Sequence, residues 1–258
     1  MSGSLKTEAI VLRSIRYGEA DRILHLYTPY RGRLSAIAKG VRRARSRFGG
    51  RLEPFFRCNL VLYEGRSDLL TVTSVETLAG HPHLREDARA LDVASRACDA
   101  VGRIFGDGEP HEGVYHLLAN ELALLDTGAS RARRRPNSET NSPPANSSAT
   151  RANALAFRLK LLLAAGFAPQ LSGCASCGSR DHLAGFSGAA GGVVCNACEA
   201  GAFPLSQEAH DFLVEALGRP LADAPGAPPR ALAQAERAIL ETLEHHAGVH
   251  LRPAGLDG

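Results

Sequence analysis

Two Cys-x2-Cys pairs, Cys174/Cys177 and Cys195/Cys198, stand seventeen residues apart and constrain this chain more than any other feature in it. Each pair fits one tight turn, and Gly173, Gly178 and Ser179 lie where such turns take small residues. Two turns facing each other supply four thiolates at the spacing of a tetrahedral zinc site. Two disulfides or four unrelated thiols are the alternatives. A cytoplasmic chain disfavours the first, and chance rarely produces this pattern. Four protein ligands leave no open coordination position, so the expectation is one structural Zn2+ rather than a catalytic ion. The stretch SRDHLAGFSGAAGGVV (179–194) is small and Gly-rich, as a ribbon hairpin requires, and the module spans 174–198. His182 is a substitute ligand in principle, but the four cysteines fill the shell. Cys58 and Cys98 lie within apolar periods and read as buried thiols.

The second constraint is electrostatic. Residues 31–51 carry eight cations and no acid, although the whole chain has a net charge of only +3. A solvated basic face is the plain reading of such a block. The sharper reading is a footprint for a polyanion, because cations that neutralise phosphates release condensed counterions. Tyr17, Tyr27, Tyr30, Phe48, Phe55 and Phe56 flank the block. Cations that follow a backbone beside rings that stack on bases make a groove for an unpaired strand. Residues 1–80 are net basic and residues 81–258 net acidic, so the two parts should meet different partners.

Short β-branched and apolar runs at 7–13, 21–28, 33–39, 55–64 and 68–76 alternate with turn signals such as Tyr17-Gly18-Glu19 and Pro29-Tyr30-Arg31-Gly32. Five strands in about 80 residues suit an OB-type β-barrel, a fold that commonly holds oligonucleotides, and another five-stranded barrel would satisfy the same pattern. Beyond His81 the apolar period becomes helical. Helices are expected over 86–105, with Leu91, Ala94, Cys98, Val101 and Phe105 on the apolar side, and over 112–126, 154–166, 206–217 and 230–247. Residues 128–153 are rich in Ser, Pro, Asn and Arg and read as a disordered insertion between two helices of one bundle. The expected architecture is therefore α+β: an OB domain over 1–80, then a helical domain over 81–258 that carries the zinc module.

Several chemistries lack their motifs. No Gly-x4-Gly-Lys-Ser/Thr phosphate loop occurs, and neither H-x-E with P-C-x-x-C, G-x-S-x-G nor H-E-x-x-H is present. No run approaches 18 apolar residues, and the first residues hold acids and no apolar export core. The expectation is a cytoplasmic protein; an enzyme is still open, but no motif proposes its chemistry.

The string TEAIVLRSIRYGEADRILHLYTPYRGRLSAIAKGVRRARSRFGGRLEPF, the segment LAFRLKLLLAAGFAPQLSGCASCG and the closing LEHHAGVHLRP together resemble the RecO family of bacterial recombination mediators. The resemblance covers nearly the whole chain except 128–153. It implies an N-terminal OB domain, a helical domain and a zinc module, in a non-enzymatic, nucleoid-associated protein. It also implies binding of single- and double-stranded DNA, annealing of complementary strands, and work with RecR to load RecA onto strands coated by single-strand-binding protein, whose C-terminal tail is the contact. By motif, DNA binding falls on Lys39, Arg42, Arg43, Arg45 and Arg47, with Arg31 and Arg33 at the margin, and zinc on Cys174, Cys177, Cys195 and Cys198. An RNA-binding factor of transcription or translation, built from an OB barrel and a zinc ribbon, is the competing reading from the residues. A metal-dependent nuclease is a third.

Overall fold

Strand β1 (Gly3–Tyr17) is long enough to serve two neighbours, and this closes the N-terminal sheet on itself. In the computed structural model, which describes residues 3–65, 69–133 and 145–254, its first half pairs with β4 (Arg57–Glu64) and its second half with β2 (Asp21–Thr28). The register shifts between Val11 and Arg13, a bulge that bends the strand from one partner to the other. Strand β3 (Gly32–Ala38) lies antiparallel to β2 and meets β5 (Leu70–Ala79) in parallel through Ala36–Leu70 and Ile37–Thr71. The closed order β1-β2-β3-β5-β4 is that of an OB-type barrel. Alternation directs Ala9, Val11, Leu24, Leu26, Leu60 and Leu62 inward.

Residues 39–56 connect β3 to β4 as a chain of tight turns, with Arg43 N bonded to Gly40 O, Ser46 N to Arg43 O and Gly49 N to Ser46 O. Phe48 and Leu52, each 1% exposed, insert into the barrel core and anchor this connection. On the far side of β3, Gly32 adopts φ +61°, and a Cβ there would collide with the Glu109 carbonyl. Only glycine satisfies both conditions.

Helices α1 (Ala88–Ile104) and α2 (Glu112–Arg133) belong with the barrel: the described fold divides into compact units Met1–Arg133 and Arg134–Gly258. This differs from a division after residue 80. The reason is that the outer barrel face is itself apolar beneath these helices. Ile10 and Tyr27 are fully buried, Tyr27 meets Phe105 edge-to-face at 6.2 Å, and the Tyr115 hydroxyl donates to Glu8 at 2.8 Å. Asp87 caps α1 by accepting from Arg89 N and Ala90 N. The buried stripe runs through Ala90, Val93, Ala94, Ala97 and Val101, whereas Leu91, expected on that side, is 37% exposed.

In the second unit α3 (Ala145–Ala164) is buried along Leu155, Phe157, Leu159 and Leu162, and it packs against α4 (Gln207–Gly218) and α5 (Pro229–Thr242). Buried Glu236 accepts from Arg151 at 2.7 Å and from Ala254 N, tying α5 to α3 and to the chain that follows. Both ends of 128–153 are thus helical, and 134–144 lies outside the described residues. Ala, Arg and Leu favour helix even where large apolar residues are sparse, and Ala129 and Ala152 are buried. Three strands, β6 (Leu183–Ser187), β7 (Gly192–Cys195) and β8 (Phe203–Pro204), form a ribbon in the order β7-β6-β8. Its turn sits on the end of α5, where His246 Nε2 donates to Gly188 O at 2.8 Å and a side chain at 188 would strike Glu241.

Candidate nucleic-acid interface and metal centre

The fold divides the basic block in two. Lys39, Arg42, Arg43, Arg45 and Arg47 are exposed on the anchored β3–β4 connection. Arg31 is exposed too, but at the opposite end of β3, about 26 Å away at the usual rise per residue. Arg33 is committed within the fold. Its Nε donates to Asp107 at 2.6 Å and its Nη1 to the Gly102 carbonyl, which ties β3 to the α1–α2 connection. Arg33 and its neighbours also hold the Asp107 carboxyl below its usual range. Arg33→Ala should therefore destabilise by about 1–2 kcal/mol and leave nucleic-acid affinity unchanged. Part of this contribution depends on ionised Asp107, so it is complete above about pH 4 and fades as pH falls through the lowered pKa. Thermal melts and binding isotherms of the variant at two pH values check both statements.

Among the exposed cations of the connection, Arg42 donates to the Glu19 carbonyl at 3.1 Å, and its own N–H bonds Ala20 O. Gly40 N donates to Asp21 Oδ1 at 2.7 Å. These bonds fasten the start of the cationic segment to the β1–β2 turn. Arg47 lies over the Phe48 ring at 4.7 Å, so its stem covers the anchor while its charge faces solvent.

The aromatic residues divide differently from their order in the sequence. Phe48, Phe55 and Tyr27 are buried and belong to the core, and Phe56 is only partly exposed. Tyr17, 53% exposed, and Tyr30, 70% exposed, present open faces. Tyr17 pairs with Asp21 in the β1–β2 ladder, beside the start of the cationic connection. Tyr30 lies at the Arg31 end and donates to Glu112 at 3.3 Å. It rims a cleft of about 580 Å³ that is also lined by Lys6, Glu8, Glu76, Tyr115 and His116. Sequence order could not separate these groups, because the direction of each Cβ is set by barrel register.

In the second unit all four cysteines converge. Their sulfur atoms lie within 4.8 Å of one another, and Cys177 Sγ is 3.7 Å from Cys195 Sγ. Tetrahedral zinc with bonds near 2.3 Å separates its sulfurs by about 3.8 Å, so the donor set and its size fit that ion. Cys174 and Cys195 are buried, and Cys177 is open to solvent. Backbone N–H groups of Cys195, Cys177 and Ser176 lower the Cys174 thiol to about 6, while neighbouring Cys177 and Cys195 sulfurs push Cys198 up to about 12. Such a spread marks sulfurs that compete for protons, a competition that a central cation removes. His182 is exposed, and the metal-binding cluster among the described residues contains the four cysteines alone.

Residues 1–81 match the family model described as Recombination protein O N terminal, and residues 145–253 match Recombination protein O C terminal. The chain belongs to the RecO family. It is 38% identical over 263 residues to a DNA repair protein RecO of Rubrobacter xylanophilus, covering 98% of this chain and 97% of that one. It is 34% identical over 255 residues to a DNA repair protein RecO of an Anaeromyxobacter species, covering 96% and 93%. The RecO N-terminal match coincides with the barrel and ends at His81. The RecO C-terminal match takes in α3, the four-cysteine ribbon, α4 and α5. No helix among the described residues is long and apolar enough to cross a membrane.

Proposed function

We propose that this chain is a DNA-binding protein of recombination repair, acting without catalysis. It anneals complementary strands and, with RecR, helps load RecA onto single-stranded DNA coated by single-strand-binding protein. The observation that carries this reading is the anchored connection: five exposed cations, Lys39, Arg42, Arg43, Arg45 and Arg47, held on an OB-type barrel by two buried side chains. Membership of a family whose relatives carry the name DNA repair protein supports it. Screening of phosphates lowers the repulsion between two strands as they meet, and base pairing then supplies the driving force. No nucleotide is consumed. Zinc on Cys174, Cys177, Cys195 and Cys198 fixes the ribbon and takes no part in the chemistry.

Acting on a coated strand also requires contact with the coat. Packed helices α3 and α4 offer a place for it. Leu163 is 53% exposed and Val214 45% exposed, and Lys160, one helical turn before Leu163, donates to the Leu217 carbonyl at 3.2 Å. Residues 81–258 are net acidic, so an apolar surface with a local cation, rather than a basic face, is the place for the coat's acidic C-terminal tail. The test is annealing of coated strands, using coat protein with and without its C-terminal tail. Annealing should be several-fold slower without the tail. If neither binding nor annealing changes, the mediator role fails and a general nucleic-acid binder remains.

A further inference from the structure

The outer face of the barrel next to the cationic connection is not polar. Leu24, Leu26, Ala36 and Ala38 point into the core, so the alternate residues of β2 and β3 point outward, and the register places β1 residues beside them. Ile15, Ile23 and Ile37 form one row across three strands. Arg13, His25 and Ser35 form the next row. Tyr17 stands beyond Ile15 on the same face of β1, two residues on and so about 7 Å along the strand. At this end of the strands Ile15 is 38% exposed and Tyr17 53% exposed, while Ile37 at the far end of the row is buried. Burial first, and then Arg13 and Arg33, lower the pKa of His25, so at neutral pH its ring adds an uncharged plane to this face.

Cations border the patch. Arg13 is exposed on this face of β1, and Lys39, Arg42 and Arg43 lie on the adjoining connection. Of the acids at this end, Asp21 accepts from Gly40 N and Glu53 pairs with Arg22 at 2.8 Å, while Glu19 stands exposed on the β1–β2 turn. An apolar floor with a positive border complements one ligand chemistry, planar rings carried on a chain of phosphates. A duplex cannot use the floor, because its bases are hidden in their own stack and offer only phosphates to the border. We infer that Tyr17, Ile15 and Ile23 seat the unpaired bases of a single strand whose phosphates lie on Arg13, Lys39 and Arg42. This inference rests on the proposed DNA-binding role and adds to it a physical source of preference for unpaired over paired strands.

The experiment compares Tyr17→Ala and Tyr17→Phe with the Arg42/Arg43/Arg45→Glu variant, using a thymidine 15-mer and a 15-base-pair duplex. Tyr17→Ala should weaken 15-mer binding about ten-fold, as loss of one stacked base does. Duplex affinity and the salt dependence of both should be unchanged, and Tyr17→Phe should bind as the parent does. A 15-mer carrying 5-iodouracil should photo-crosslink to Tyr17, read by mass spectrometry of the peptides. Tyr17 lies at a hairpin end, so unchanged melting temperatures should accompany these results. Equal loss for strand and duplex, or loss for neither, overturns the base platform. If the parent binds neither ligand, the underlying DNA-binding reading fails; if the arginine variant binds both as the parent does, the phosphates lie elsewhere on the chain and this seat is overturned.

Discussion

Replacing Cys174 or Cys198 by serine should remove the metal and most of the stability of the second unit together. A structural zinc site contributes its binding free energy to folding, on the order of 10 kcal/mol in small zinc domains, and three thiolates with a hydroxyl hold the ion far more weakly. Cys174 is buried, its N–H donates to Ser179 O and its carbonyl accepts from Gly178 N, so the substitution disturbs the turn that carries Cys177 as well. The ribbon is also seated on α5 through His246 and Gly188, which carries the loss into the helical core. The expected result is one zinc per chain in the parent by elemental analysis, none in the variants, and a melting temperature lower by about 10 °C or more. A chelator should reproduce this shift in the parent and produce none in the variants. A metal-free variant with parental stability would remove the structural assignment.

Reversing Arg42, Arg43 and Arg45 to glutamate should abolish most DNA binding while leaving the barrel intact. If Lys39, Arg42, Arg43, Arg45 and Arg47 each neutralise one phosphate, single-strand affinity should fall with added salt at a log–log slope near −3.5, from roughly −0.7 per contact. Two remaining cations give a slope near −1.4, and three new acids oppose them, so the loss at about 0.1 M salt should be on the order of 100-fold or greater. The three side chains are exposed and carry no core, and the buried anchors Phe48 and Leu52 are untouched. Melting temperature should move by only a few degrees. Strand annealing in the absence of nucleotide should fall in step with affinity. An unchanged slope would place the phosphate contacts elsewhere on the chain.

The features legible in the sequence were those set by local spacing. The Cys-x2-Cys pairs allowed one geometry, and the chain adopts it. The run 21–28, bounded by a glycine turn and a proline turn, is β2 to the residue. What could not be read was direction. Phe48 and Phe55 lie in a charged stretch and look like surface rings, yet barrel closure turns them inward. Arg33 looks like a member of the basic block until the fold brings Asp107 and Gly102 beside it, 74 and 69 positions along the chain. The place of α1 and α2 was equally hidden. Composition changes after residue 80, but the apolar outer face that binds α1 and α2 appears only once β1 and β2 are in register.

The two buried anchors of the β3–β4 connection have an evolutionary consequence. Phe48 and Leu52 answer to the barrel, Arg42 and Arg47 serve it in part, and Arg43 and Arg45 answer only to what binds them. Charge on this segment can therefore drift, rise or be re-spaced from one lineage to another with little toll on folding, so long as its two footholds are kept. Selection on ligand grip and selection on fold act on different letters of the same short stretch.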